Sequence, residues 1–122
     1  MDYPYKNSTF LFPNENNNEW IDKYNTLVLD VKAGRYDFGD TKLSLHHIIP
    51  RSIAPELTKD KANFVYVPIV EHMMLHYYLW KADSSYGRQL WFGCVWCRKN
   101  KLWDLPGGDT EYEELKKSLK RK

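Results

Sequence analysis

All four histidines of this 122-residue chain lie in one short segment, between positions 46 and 76. His46 and His47 are neighbours in the run Leu-His-His-Ile-Ile-Pro, and His72 and His76 are four positions apart. On a helix, side chains at i and i+4 project from the same face, so His72 and His76 can converge on one cation. Because neutral imidazole is a common metal ligand, this spacing predicts a metal centre.

A third ligand must come from elsewhere, and the segment before Pro50 offers His46. Neighbouring side chains on a strand point to opposite faces, so we expect different roles for His46 and His47, one a ligand and the other a free base. Three protein ligands and an open position are typical of a catalytic metal. A neutral imidazole can take a proton from water, and Asn63 could fix its tautomer. This chemistry suits the hydrolysis of a phosphodiester.

Two short strands and a helix are predicted to carry these residues. Residues 43–47 and 63–67 are rich in residues that favour strands. Pro68 suits the first turn of a helix that runs to about residue 81. The histidines would therefore lie on a strand–loop–strand–helix segment.

Further helices are predicted on both sides of this segment. Asn18 is a suitable N-cap for a helix whose apolar positions continue to Val31, and Gly34 would end it. Ser84 or Ser85 would cap a later helix. The apolar residues of that helix that we expect to pack on the core are Leu90, Trp91, Cys94, Val95 and Leu102.

The last predicted helix opens at a capping box, Thr110 to Glu113. It ends in a basic cluster that suits the negative end of the helix dipole, namely Lys116, Lys117, Lys120, Arg121 and Lys122. Cys94 and Cys97 cannot close a zinc site by themselves, so they are expected to be buried as small hydrophobic side chains. The aromatic residues expected mainly in the core, where an exposed ring could instead stack on a base, are Tyr77, Tyr78, Trp80, Trp91 and Trp103.

The histidine pattern resembles that of the HNH endonucleases. The His-His-Ile-Ile-Pro segment, Asn63 and the pair His72 and His76 follow one another in the family's order, most densely over residues 43–80. The whole chain is similar to the small free-standing HNH endonucleases of bacteriophages, and the spacing of its last three motif residues is similar to that in DNA-cleaving colicins. This resemblance implies an α+β fold with a ββα-metal core, a short two-stranded hairpin plus a helix, flanked by additional helices.

Carried over residue by residue, the resemblance implies a metal-dependent endonuclease of phage or homing type that nicks DNA or cuts both strands. His47 would be the general base, and His46, His72 and His76 would hold one divalent metal ion. Asn63 would orient the base or touch the metal. Imidazole ligands suit zinc, nickel or copper, whereas related enzymes often use magnesium or manganese.

Two features depart from the family pattern. Many members have two glycines in the loop after the proline, which residues 51–55 lack. Many also carry two Cys-x-x-Cys pairs as a structural zinc site, and this chain has only one such pair. Neither departure removes a candidate catalytic group.

The length fits a polar lead-in over residues 1–18 and a single nuclease domain over residues 19–122. A net charge of +2 permits nucleic-acid binding only through local patches. The residues predicted to contact phosphates are Arg51, Lys59, Lys61, Arg88, Arg98 and Lys99.

The chain shows no signal segment and no apolar stretch long enough for a membrane span. We therefore expect a monomer or homodimer in the cytoplasm, which would be the cytoplasm of the host cell if a phage encodes the protein. The expected partner is DNA, and no membrane partner is expected. The alternative function is a non-catalytic, metal-stabilised nucleic-acid-binding module. Such a module would need a fourth ligand, for which the sequence offers no clear candidate.

Overall fold

The computed structural model describes residues 11–51 and 53–119, which form four α-helices and one two-stranded antiparallel sheet. This mixture confirms the predicted α+β class. The chain divides into a first unit, Met1–Pro68, and a second unit, Ile69–Lys122. The single domain over 19–122 stays a prediction. Within the described part of the chain, no helix has the length and apolar character needed to cross a membrane.

Helix α1 of the first unit spans Glu19–Lys32 and begins and ends where the sequence predicted. Asn18 Oδ1 accepts the backbone N–H groups of Trp20, at 2.8 Å, and Ile21, at 3.4 Å. Gly34 follows the helix with a φ of 73°. Glycine adopts this left-handed conformation without a steric penalty, so it is a suitable residue at the end of a helix.

The described part of the predicted lead-in is held against α1. The side chain of Asn25 bonds to both the backbone N–H and the carbonyl of Phe12, at 2.8 and 2.9 Å. Phe12 is buried, and its ring meets that of Tyr24 edge to face, with the centroids 5.9 Å apart. Residues 11–18 are therefore anchored, whereas residues 1–10 lie outside the described part.

The two strands of the first unit, β1 (Ser44–His47) and β2 (Phe64–Val67), pair in antiparallel fashion. Each lies within one residue of its predicted bounds, so both predictions are confirmed. His47 stands opposite Phe64. His46 is buried and His47 is half-buried, as expected from the alternation of faces along a strand.

The connection between β1 and β2 is built from short hydrogen-bonded turns. Two single 3₁₀ turns lie at Pro55–Leu57 and Lys61–Asn63. Asp60 Oδ1 accepts the N–H of Ala62 at 3.0 Å, and the Thr58 hydroxyl donates to the carbonyl that opens the first turn, at 2.7 Å. These local bonds fix the path of the loop that carries Thr58.

The second unit consists of α2 (Ile69–Ala82), α3 (Gly87–Asn100) and α4 (Gly108–Ser118). Helix α2 starts directly after Pro68, as predicted. The buried apolar side chains of this unit are Met73, Leu75, Tyr77, Leu79, Trp80, Leu90, Cys94, Cys97, Leu105 and Leu115. Both cysteines are free thiols in this core, which confirms their predicted role.

The residue that caps the approach to α3 differs from the prediction. Asp83, and not Ser84 or Ser85, supplies the cap, because its Oδ1 accepts the N–H of Ser85 at 3.0 Å. The capped element is a 3₁₀ turn at Ser84–Tyr86, and α3 begins only after it. A carboxylate is the stronger acceptor at a helix start, so it takes the role assigned to the serines.

Two residues expected in the core are exposed. Val95 lies on the outward side of α3 and is 40% exposed, and Leu102 is 46% exposed. Leu102 follows Lys101, which ends α3 in a left-handed conformation with a φ of 58°. The chain therefore leaves the helix before Leu102 could continue its apolar face.

Helix α4 starts earlier than the predicted capping box. Gly107 is its N-cap without a side-chain bond, so Thr110 lies inside the helix and the box is wrong. Glu111 Oε1 instead reaches back to accept the N–H of Gly107, at 2.8 Å. Lys116 and Lys117 lie in the last turn, as predicted, and the basic residues 120–122 lie outside the described part.

Candidate functional site

His46 lies on β1 with only 2% of its surface exposed. Its Nε2 is 2.7 Å from the hydroxyl oxygen of Tyr24, and that hydroxyl donates to the carbonyl of Ile48, also at 2.7 Å. Because the hydroxyl hydrogen is used on the carbonyl, the Tyr24 oxygen accepts from Nε2–H of His46. Burial raises the pKa of Tyr24, which keeps this hydroxyl protonated. The lone pair of the neutral His46 ring is therefore on Nδ1.

His47 is held by a different group on the other face of β1. Its Nε2 is 3.0 Å from the carbonyl oxygen of Thr58. A carbonyl can only accept, so Nε2 carries the hydrogen and Nδ1 carries the lone pair. The ring also meets Phe64 edge to face, with the centroids 5.2 Å apart. The orientation and tautomer of His47 are thus both fixed, and Nδ1 is its basic atom.

Asn63 is fully buried and bonds to the backbone. Its Oδ1 accepts the N–H of Ile49 at 2.7 Å, and its Nδ2 donates to the carbonyls of Ile49, at 3.1 Å, and Leu57, at 3.3 Å. The sequence suggested that Asn63 bonds directly to the imidazole of His47. The structure shows that the carbonyl of Thr58 accepts from this imidazole instead. Asn63 instead fixes the backbone that follows β1 to the loop.

Two positioning groups were missed by the sequence analysis, namely the Tyr24 hydroxyl and the Thr58 carbonyl. Tyr24 occupies an apolar position of α1, and it is fully buried. Its hydroxyl, which needs a partner when buried, was the only available signal. Every residue has a carbonyl, so the residue type of Thr58 gives no signal at all.

His72 and His76 lie one turn apart on α2, with ring centroids 5.0 Å apart. Burial, together with a smaller effect of the neighbouring His72, lowers the pKa of His76 to about 3. Burial also lowers the pKa of His72. Both imidazoles are therefore neutral at neutral pH, which is the state that binds a metal. The facing pair that the sequence predicted is present.

The three predicted metal ligands are divided between the units. His46 is on β1 of the first unit, and His72 and His76 are on α2 of the second unit. Three imidazoles are a donor set that suits zinc or nickel. This is the set that the sequence predicted, and the binding of a metal to it stays a prediction.

The predicted phosphate contacts fall into two groups. Five of them have exposed side chains, namely Arg51, Lys59, Lys61, Arg88 and Lys99. Arg98 is instead used within the second unit. Its guanidinium pairs with Asp104 at 3.6 Å and with Asp109 at 2.5 Å, and it lies 4.1 Å from the ring centroid of Tyr112. These contacts make Arg98 a poorer candidate for binding phosphate than the other five.

No family model, curated protein or solved structure matches this chain.

Proposed function

We propose that this chain is a metal-dependent endonuclease of HNH type, with a ββα-metal core, that hydrolyses phosphodiester bonds of DNA. The observation that carries the proposal is that His72 and His76 form a pair of neutral imidazoles on one face of α2. His46 is the predicted third ligand, and His47 is oriented separately by its own hydrogen bond. A ligand set and a separate oriented base are the two parts that such hydrolysis requires.

His47 is the general base in this proposal. Its Nδ1 takes a proton from the water that attacks phosphorus. The imidazolium that results keeps its Nε2–H on the carbonyl of Thr58, whose negative oxygen stabilises the new positive charge. The same bond prevents the ring from turning its basic atom away.

The three other histidines would hold the cation. When bound, a divalent cation polarises a phosphoryl oxygen and stabilises the charge on the leaving oxygen. Tyr24 keeps the lone pair of His46 on Nδ1, and burial keeps His72 and His76 neutral. Bonds of this kind to the outer side of a ligand orient it and raise its affinity for metal.

Substrate contacts in the first unit would come from the exposed cations of the loop, Arg51, Lys59 and Lys61. Asn63 keeps that loop tied to the end of β1, since it bonds to the backbone of both. Cationic residues whose backbone is held in place can position a phosphate group, but they do not read the base sequence. The phage or homing type, the monomeric or homodimeric state and the cytoplasmic location stay predictions from the sequence.

Incubation of the full chain with supercoiled plasmid and magnesium, manganese, nickel or zinc tests this function. We expect metal-dependent nicking or linearisation, and the product form shows whether one or both strands are cut. His47→Ala should lower the rate about 100- to 10,000-fold, the usual contribution of a general base. Leu45→Ala, an exposed position on the same strand, is the matched control and should cut as the wild type does.

Two results would contradict the proposal. One is a cleavage rate that His47→Ala leaves unchanged. The other is DNA binding by both proteins without cleavage in any metal, which would establish the metal-stabilised nucleic-acid-binding module instead.

A further inference from the structure

The outward side of α3 carries two exposed aromatic rings. Phe92 is 58% exposed and Trp96 is 51% exposed. They are four positions apart, so they lie on one side of the helix, and Val95 lies between them. Arg88 and Lys99 extend the same side by one turn in each direction. We call these five residues the α3 face. Large exposed aromatic surfaces on a protein usually mark a binding site.

The charge of the α3 face is entirely positive. No acidic residue occurs in Gly87–Asn100, whereas Arg88 and Lys99 are exposed cations. The Arg88 guanidinium lies 5.7 Å from the ring centroid of Phe92. Arg98 does not belong to this face, because its charge is paired with acidic side chains. The face therefore carries two aromatic rings with one cation on either side of them.

A surface groove continues the face beyond Phe92. It has a volume of about 490 Å³, and its lining includes Arg88, Trp91, Phe92, Ser84 and Ser85. Two aromatic residues with a cation and two serines beside them suit a planar, polar, negatively charged ligand. A nucleotide has this combination of a π-face, edge acceptors and a phosphate.

Charge argues against a second copy of the chain as the occupant. If two α3 faces packed antiparallel, Arg88 of one would approach Lys99 of the other. If they packed parallel, each cation would face its own copy. Neither arrangement offers an acidic partner from α3, and like charges at an interface are costly. A polyanion has the complementary charge.

We propose that the α3 face binds single-stranded DNA, with bases stacked on Phe92 and Trp96 and phosphates on Arg88 and Lys99. The two rings are about 6 Å apart along the helix axis, from the rise of 1.5 Å per residue, so they can stack on different bases of one strand. The inference rests on the proposed function for its substrate, DNA, but requires neither a metal nor His47.

Fluorescence anisotropy of a labelled oligothymidine with the full chain in EDTA, which prevents cleavage, tests the proposal. Phe92→Ala and Trp96→Ala should each weaken binding about 5- to 150-fold, the range for loss of one stacked base. Gln89→Ala changes an exposed residue of α3 that is not part of the α3 face, so it should bind as the wild type does. Each of Arg88→Gln and Lys99→Gln should reduce the salt slope of log K by about 0.7.

Three results would overturn the proposal. The first is oligonucleotide binding that is absent in the wild type or unchanged in both ring variants. The second is an equal loss on duplex DNA, because paired bases are not available to stack. The third is a wild-type dimer that Trp96→Ala dissociates in gel filtration, which would assign the face to a second copy. Unchanged melting temperatures of the exposed variants exclude misfolding as the cause of any loss.

The same proteins separate this inference from the proposed function. If the wild type binds in the expected way but never cleaves plasmid, the nuclease proposal fails and the α3 face stands. If the wild type cleaves plasmid but the ring variants bind the oligonucleotide normally, the proposal for the α3 face fails and the nuclease proposal stands.

Discussion

The two units of the chain use their buried polar side chains differently. In the first unit, Tyr24 and Asn63 bond to the backbone beside the histidines of β1. In the second unit, Glu111 joins two helices, because it accepts from the Tyr77 hydroxyl at 2.7 Å and from Lys81 Nζ at 3.2 Å. Polar groups thus position a short strand and its loop in one unit, and hold helix to helix in the other.

The histidines of the two units also differ in what positions them. His46 and His47 each have a tautomer fixed by one hydrogen bond to the ring. His72 and His76 are brought together by helix spacing, and burial keeps them neutral. Histidines on a short strand depend on groups far away in sequence, whereas a helix places its ligands by regular geometry. Substitutions in the two units should therefore have different consequences.

The largest effect on stability is expected from Asn63→Ala in the first unit. The substitution leaves the N–H and the carbonyl of Ile49 and the carbonyl of Leu57 without their partner. Each unsatisfied buried group costs about 1–3 kcal/mol, so the free energy of unfolding should fall by about 3–5 kcal/mol in urea denaturation. Asn100→Ala removes an exposed amide and should cost less than about 0.5 kcal/mol. Equal stability of the two variants would contradict this role of Asn63.

Glu111→Gln tests the second unit, with an expected loss of about 2 kcal/mol at neutral pH. Burial alone would raise the pKa of Glu111, but bonds from Tyr77, the Gly107 N–H and Lys81 outweigh it, and the pKa is lowered. A carboxylate with a lowered folded-state pKa stabilises the fold above its ordinary pKa of 4.5, and this stabilisation is lost as the pH falls through the lower value.

The difference in unfolding free energy between wild type and Glu111→Gln should therefore shrink in acid. Denaturation across this pH range measures it, with the exposed Glu113→Gln as the control. The metal affinity should not change, because Glu111 joins α2 to α4 and does not contact the predicted metal ligands. A constant difference at all pH values, or a weakened metal site, would break the comparison between the units.

Tyr24→Phe should have the smallest effect on stability and a larger one on metal binding. It removes two hydrogen bonds, to the Ile48 carbonyl and to His46 Nε2, and the net loss should be about 1–2 kcal/mol. Because the tautomer of His46 is then no longer fixed, metal affinity should fall about 10- to 100-fold in calorimetric titration. Tyr36→Phe, which removes a hydroxyl from an exposed residue, should match the wild type in both measurements. An unchanged metal affinity in Tyr24→Phe would mean that the tautomer of His46 does not affect metal binding.

Local signals explain what the sequence predicted well. The Asn18 cap, Gly34 and Pro68 act on residues next to them, so the ends of α1 and the start of α2 could be predicted. The pairing of His72 and His76 needs only a helix. The errors at α3 and α4 are also local. Asp83 took the capping bond expected of a serine, and Glu111 took the bond to the N-cap N–H that was expected of Glu113.

The parts of the site that could not be predicted depend on contacts between distant residues. Asn63 bonds to Ile49, fourteen positions away, and Tyr24 bonds to Ile48, twenty-four positions away. The carbonyl of Thr58 reaches His47 only because the loop folds back through its turns. No residue type or spacing encodes such bonds. The types of the chemical groups were therefore predictable, but not the contacts that orient them.

The most direct test of the account is a calorimetric titration of zinc into the metal-free wild type and its four single histidine-to-alanine variants. We predict that the wild type binds one ion per chain. His46→Ala, His72→Ala and His76→Ala should each lose most of that affinity, whereas His47→Ala should retain it, because the base is not a ligand. Binding that survives in the three ligand variants, or that is lost only in His47→Ala, would contradict the assignment.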